Sequence, residues 1–292
     1  TATFLTADKL HKMFGLGQSD PFVLLGFAAV LRFMTPRPIL AGAIVGAVAN
    51  VKYLSVIFVP YFALKRNYRA ALSAMVSFLF FLVLPVVQVG WTKGISYAAA
   101  ALGGLEHMIG LPIIHRLKIL PVTWDRSVSI TSALFRMTRS TGVPDGAALL
   151  LLVLVFALTV GAILVVARRH GTALFTRGAD PRTESLEWAV LIFLAVAFSP
   201  QTTARHMVLT LLIYTVAVPV LFAIRKGWPR VALAISAAIM AASLSLPPRS
   251  HALDVWRNAG GASWCALLFI LVLVWSGSRA MNETNDRTRT ER

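Results

Sequence analysis

The sequence predicts an all-α polytopic membrane protein with a broken half-helix pair and amphipathic helices on its outer face. Three observations lead there. Of 292 residues, 57% are hydrophobic and only 14% are charged. The mean hydropathy, +0.73, is above that of a water-soluble domain built on one core. Apolar runs recur along the whole chain, several close to the ~20 residues that cross a bilayer as a helix. The chain therefore reads as one membrane domain over residues 1–292.

In chain order the spans fall at Pro21–Phe33, Ile39–Leu64, Ala70–Gly90, Gly146–Ala167, Glu187–Phe198, Met207–Ile224, Val231–Leu246 and Ala262–Ser276. The first and fifth are short and need flanking residues or local thinning of the bilayer. One cysteine, Cys265, inside an apolar run, offers neither a disulfide framework nor a cysteine metal site. The start at Thr1, without methionine or a basic leader, is expected to be a cut. Residues 279–292 form a polar, mixed-charge tail expected to be disordered in the cytoplasm.

Orientation follows from where the short loops carry Lys and Arg. Lys65-Arg66-Asn67-Tyr68-Arg69, the Arg168–Arg182 loop, Arg225-Lys226-Gly227-Trp228-Pro229-Arg230 and the tail are basic, which places them in the cytoplasm. The Arg32–Arg37 turn is basic too, yet a single apolar run separates it from Lys65. One straight helix would put the two on opposite sides. Ile39–Leu64 is therefore expected to be two half-helices, up and back, broken near Asn50-Val51-Lys52. The alternative is a straight tilted span with a snorkelling Lys52. A lysine and irregular backbone at membrane depth are tolerated only inside protein or along a cavity, which makes the break a functional candidate.

With the break in place, Gly15–Asp20, residues 91–145, Ser199–His206 and Pro247–Gly260 fall on the outer side. Trp91, Trp188, Trp228, Trp264 and Trp275 lie near span ends, where amphipathic rings prefer the interface. Residues 91–145 form an extracytoplasmic amphipathic segment, with Ile95–Leu111 and Val128–Met137 patterned as helices lying on the membrane. Arg126, Arg136 and Arg139 make it cationic, suited to a phosphorylated headgroup or to anionic lipid in general. The net charge of +16 is spread over short loops, which fits membrane lipids as partners rather than nucleic acid. Within Ser199-Pro200-Gln201-Thr202-Thr203-Ala204-Arg205-His206 an arginine and a histidine stand between two apolar runs. Such a pair marks a functional site unless the segment is a plain loop reaching the headgroups.

Four of these elements carry a resemblance. Gly17-Gln18-Ser19-Asp20 leads into an apolar helix; Ala41-Gly42 runs through Gly46 to Lys52 and the basic Lys65–Arg69 end. Trp124-Asp125-Arg126-Ser127-Val128 stands with Arg136, and Ser199-Pro200 precedes His206. In this order they resemble glycosyltransferase family 87, of the GT-C superfamily of multispanning transferases. Asp20 departs from the asparagine-like residue common there, and Asp125-Arg126 replaces an Asn-Gln pair. The resemblance implies a GT-C-like helical bundle that transfers mannose, or a related pentose, from a polyprenyl-phosphate sugar donor. The acceptor would be a lipid-linked or cell-envelope glycan at the outer face of a bacterial inner membrane. It also places the superfamily's usual catalytic carboxylate upstream of Thr1.

The chemistry needs a base for the acceptor proton and cations for the departing phosphate. His206 is the catalytic candidate in view, with near-neutral titration. Gln18, Asp20, Lys52, Arg126, Ser127 and Arg205 are the substrate-binding candidates, Lys52, Arg126 and Arg205 for the phosphate. Lys52, Arg205 and Gln18 are expected to converge on one outward-facing cavity. No Asp-x-Asp pair suggests a metal-bound sugar nucleotide, so neither metal nor cofactor is expected. His251, Asp254 and Arg257 read as a solvated loop or part of an acceptor path. A transporter or lipid flippase would also use a broken helix, but predicts a matching break in the C-terminal half, which the sequence does not show. A non-catalytic scaffold of an envelope-synthesis complex is the third reading.

Overall fold

The computed structural model describes residues 19–97, 99, 122–200, 202–203, 206–224, 227–245 and 251–290. These divide into two compact units, Leu16–Trp124 and the chain from Asp125 onward. Among the described residues the regular structure is helical throughout, with one isolated bridge between Ser127 and Thr203. Four helices are long and apolar enough to cross a membrane: Tyr68–Val89, Asp145–Arg169, His206–Ala223 and Gly261–Asn282. The expected all-α membrane architecture is what the chain adopts.

The first unit contains α1 (Asp20–Phe33), α2 (Pro38–Val51), a 3-10 segment (Tyr53–Ile57), α3 (Phe58–Leu64) and α4 (Tyr68–Val89). Prolines at the first helical turn start α1 and α2, where a missing N–H costs nothing. The α2 helix ends at Lys52, whose backbone is extended at φ −147° and ψ 122°. The break therefore falls where charge parity requires it.

Two sets of contacts fix the path. Gly26 of α1 lies against Val48 of α2, and Asp20 pairs with Lys52, so the two helices run antiparallel. Gly42 lies against Ala70 and Gly46 against Ala74, while Ser73 Oγ and Ser77 Oγ donate to the carbonyls of Ile39 (2.8 Å) and Ala43 (2.7 Å). Both pairings rise together along the chain, so α2 and α4 run parallel. A parallel neighbour requires the intervening chain to come back. The 3-10 segment and α3 together span about 20 Å, matching the about 21 Å of a 14-residue helix. Ile39–Leu64 is thus an up-and-back half-helix pair, not a straight span, and the two basic turns share one end. Glycine is required at positions 42 and 46, because a Cβ on either would strike backbone of α4.

Phe27, Phe58, Tyr61 and Phe62 fill the interior of this unit, with Phe27 and Phe58 centroids 5.0 Å apart. The α4 helix turns an almost wholly apolar flank outward, as a lipid-facing helix does: Leu72, Met75, Val76, Leu79 and Phe80 are all exposed. Residues 91–97 are also helical. The expected Ile95–Leu111 helix lies for the most part outside the described residues.

The second unit contains α5 (Ile130–Ser140), α6 (Asp145–Arg169), α7 (Pro181–Ala197), a 3-10 turn (His206–Leu209), α8 (Thr210–Ala223), α9 (Trp228–Ser245), α10 (His251–Asn258) and α11 (Gly261–Thr290). From Trp188 to Ala197 the α7 helix is apolar on every side, and almost every residue from Leu186 to Ala197, Glu187 included, is buried. It packs with α11, which also meets α6, α8 and α9. Asp180 caps α7 by accepting from the Arg182 and Thr183 amides at 2.9 and 3.1 Å. Burial raises its pKa, but these bonds and the Thr183 hydroxyl outweigh that and hold the carboxyl below its usual range.

One expectation needs correction here. Pro247–Gly260 reads from sequence as a loop, but His251–Asn258 is a helix with no buried residue, so it lies along the surface. The α11 helix continues to Thr290.

Candidate active site

Asp20 and Lys52 belong to the first unit. The antiparallel register of α1 and α2 brings the first turn of one beside the last residue of the other, and Lys52 Nζ donates to Asp20 Oδ1. Asp20 is fully buried, and the Lys52 side chain is 15% exposed. Only Oδ1 of the carboxylate is used, since Oδ2 is buried with no hydrogen-bond partner. An ammonium has three donors and Asp20 takes one, so Lys52 keeps donors for a second anionic oxygen. Asn50, two residues earlier, closes the break by donating from Nδ2 to the carbonyls of Gly46 (3.0 Å) and Phe78 (3.1 Å). Beside it a hollow of about 570 Å³ is lined by Asn50, Val51, Phe81, Pro85, Gln88 and Tyr97 among others.

Ser127, Arg126 and His206 belong to the second unit, where the two segments singled out by sequence prove to be stitched together. Val128 N–H donates to Thr202 O at 2.6 Å, and Thr202 N–H donates back to Ser127 Oγ at 3.1 Å. Ser132 Oγ lies 2.7 Å from Ser127 Oγ and 2.9 Å from the Pro200 carbonyl. Thr131 Oγ1 donates to Phe198 O and Thr202 Oγ1 to Val196 O, at 2.8 and 2.7 Å. Ser127, Ser129, Ser132 and Thr202 are all fully buried. In a water-poor interior each of these hydroxyls needs its partner, so the network holds one arrangement.

The Ser127 hydroxyl is thus spent on holding the Thr202 turn, while Arg126 beside it is exposed and makes no hydrogen bond or ion pair among the described residues. Arg136 buttresses the same place, donating from Nη2 to Ser127 O at 3.0 Å and from Nε to Asn258 O at 2.9 Å. Burial pushes its guanidinium below its ordinary pKa, opposed by the charge of Asp125. Ser263 Oγ completes the support with a 2.7 Å bond to Val128 O.

His206 opens the 3-10 turn before α8 and is half-buried. Its Nδ1 accepts from Thr203 N–H at 3.4 Å, and its own amide donates to Thr203 O at 3.0 Å. With Nδ1 accepting, the neutral ring carries its proton on Nε2. The ring therefore holds a fixed relation to the Ser127–Thr202 ladder. Gln18 and Arg205 lie outside the described residues, and so does their expected convergence with Lys52. Among the described residues no group of three or more His, Cys, Asp or Glu could hold a metal ion.

Sequence reasoning did not find Asn50, Ser129, Ser132, Thr202, Asn258 or Ser263 as parts of these sites. A signal existed for one pair: Ser129 followed three residues later by Ser132 before an apolar stretch is a helix start, and Ser129 Oγ does accept from Ser132 N–H at 3.0 Å.

Fold and site define a multi-span helical membrane protein with a buried ion pair at the break beside Lys52 and, in its second unit, a buried hydroxyl network at the Ser127–Thr202 turn. Residues 1–200 match the family described as glycosyltransferase family 87. The chain belongs to that family and is a membrane glycosyltransferase. No curated protein and no solved structure matched it.

Proposed function

We propose that the protein transfers mannose from a polyprenyl-phosphate donor to a lipid-linked or cell-envelope glycan, at the extracytoplasmic face of a bacterial inner membrane. The observation that carries this reading is the buried polar corner where a ladder joins Ser127–Val128, next to Arg126 in sequence, to Thr202, four residues before His206. In the reaction the acceptor hydroxyl oxygen bonds to the anomeric carbon, and the carbon–oxygen bond to phosphate breaks. Polyprenyl phosphate leaves with the electron pair, and the hydroxyl proton passes to a base.

His206 relays that proton or hydrogen-bonds a sugar hydroxyl through Nε2. Arg126 and Arg205 stabilise the departing phosphate through paired N–H donors, and in the first unit Lys52 offers its remaining donors to an anionic oxygen of a lipid-linked substrate. Gln18 addresses the sugar, and the buried Asp20 holds Lys52 in place. Ser127 acts as a positioning residue, because its hydroxyl is fully committed to the ladder. Purified full-length protein should transfer label from a short-chain polyprenyl-phosphate mannose to a glycolipid acceptor, and should leave guanosine diphosphate mannose unused. Transfer from the nucleotide sugar alone would overturn the donor assignment.

A further inference from the structure

We propose that the first unit carries a binding site for the phosphate headgroup of an anionic phospholipid, built from Arg37 and Arg69 at the end opposite Asp20 and Lys52. The parallel register of α2 and α4 brings these two arginines together, since each precedes the close contact of Gly42 with Ala70. At this end a hollow of about 610 Å³ is lined by Arg37, Pro38, Ile39, Leu40, Ala43 and Arg69.

Both arginines are exposed, and among the described residues neither side chain has a hydrogen-bond or ion-pair partner. Two cations held side by side without an anion repel each other, and the arrangement is relieved when a doubly contacted anion lies between them. Ile39 and Leu40 at the hollow, with Tyr68 and Leu72 beside it, are exposed apolar side chains. A ligand filling this place carries a phosphate at one end and hydrocarbon at the other. A phospholipid of the surrounding leaflet meets both demands, as basic pockets between membrane helices do elsewhere. The site is distinct from the one proposed for the donor and does not rest on that reading.

The test uses full-length protein in phosphatidylcholine nanodiscs containing increasing dioleoylphosphatidylglycerol, with bound lipid counted by native mass spectrometry. Arg37→Gln and Arg69→Gln should each weaken phosphatidylglycerol retention about fivefold, and the pair about 25-fold. The control pair Arg32→Gln with Arg66→Gln, exposed basic residues outside the hollow, should bind like the parent. Equal losses in both pairs would show generic surface attraction and overturn the site. Displacement of the lipid by millimolar inorganic phosphate, or equal retention of phosphatidylcholine, would overturn the phospholipid assignment. If the double variant fails to fold, the single variants decide by the same fivefold criterion.

Discussion

Replacing Lys52 with methionine is expected to destabilise the protein by about 3–5 kcal/mol, because it leaves the Asp20 carboxylate buried without its cation. Asp20 is fully buried and one of its oxygens already lacks a partner, so no neighbouring donor is placed to take over. In detergent this should appear as a melting temperature lower by roughly 10 °C. Removing both charges, with Asp20→Leu and Lys52→Met together, should recover much of that loss, since an apolar pair of similar size meets no desolvation penalty. Sugar transfer should stay lost in the double variant. A double variant that folds and still transfers would show that the pair serves the fold alone, and parental melting of Lys52→Met would show that the pair does not form.

His206→Ala should reduce transfer by about 10²- to 10⁴-fold, the range of a positioned proton-transfer group. Stability should hardly change, because the ring is half-buried and its bond from the Thr203 amide is long at 3.4 Å. The loss should fall on kcat and leave KM near the parental value. A donor-binding role would instead raise KM. Unchanged turnover in a correctly inserted His206→Ala protein would remove His206 from the site.

Much of this architecture is legible in the sequence because lipid imposes long apolar runs. Ala70–Gly90 was expected to span the membrane, and α4 covers Tyr68–Val89; Gly146–Ala167 became α6 at Asp145–Arg169. The break at Lys52 is invisible to hydropathy, since Ile39–Leu64 is one apolar run. It was found from charge parity, which demands that Arg32–Arg37 and Lys65–Arg69 share a side. The ladder from Ser127 to Thr202 was legible only as two separate motifs. Isolated serines and threonines have no period, and their partners include backbone carbonyls 75 and 135 residues away. His251–Asn258 was missed because eight residues of mixed polarity between prolines and glycines look like a loop until they lie against a surface.

Sidedness tests the central claim most directly. With Cys265 replaced by serine, single cysteines at Asp125, near the Ser127–Thr202 ladder, and at Arg177, beyond the opposite end of α7, can be probed in intact cells with a membrane-impermeant maleimide. Both parent residues are exposed. Transfer from a polyprenyl-phosphate sugar at the outer face requires labelling at position 125 and protection at 177 until the membrane is permeabilised. Protection at 125 with labelling at 177 would place the polar corner in the cytoplasm and contradict the proposed reaction.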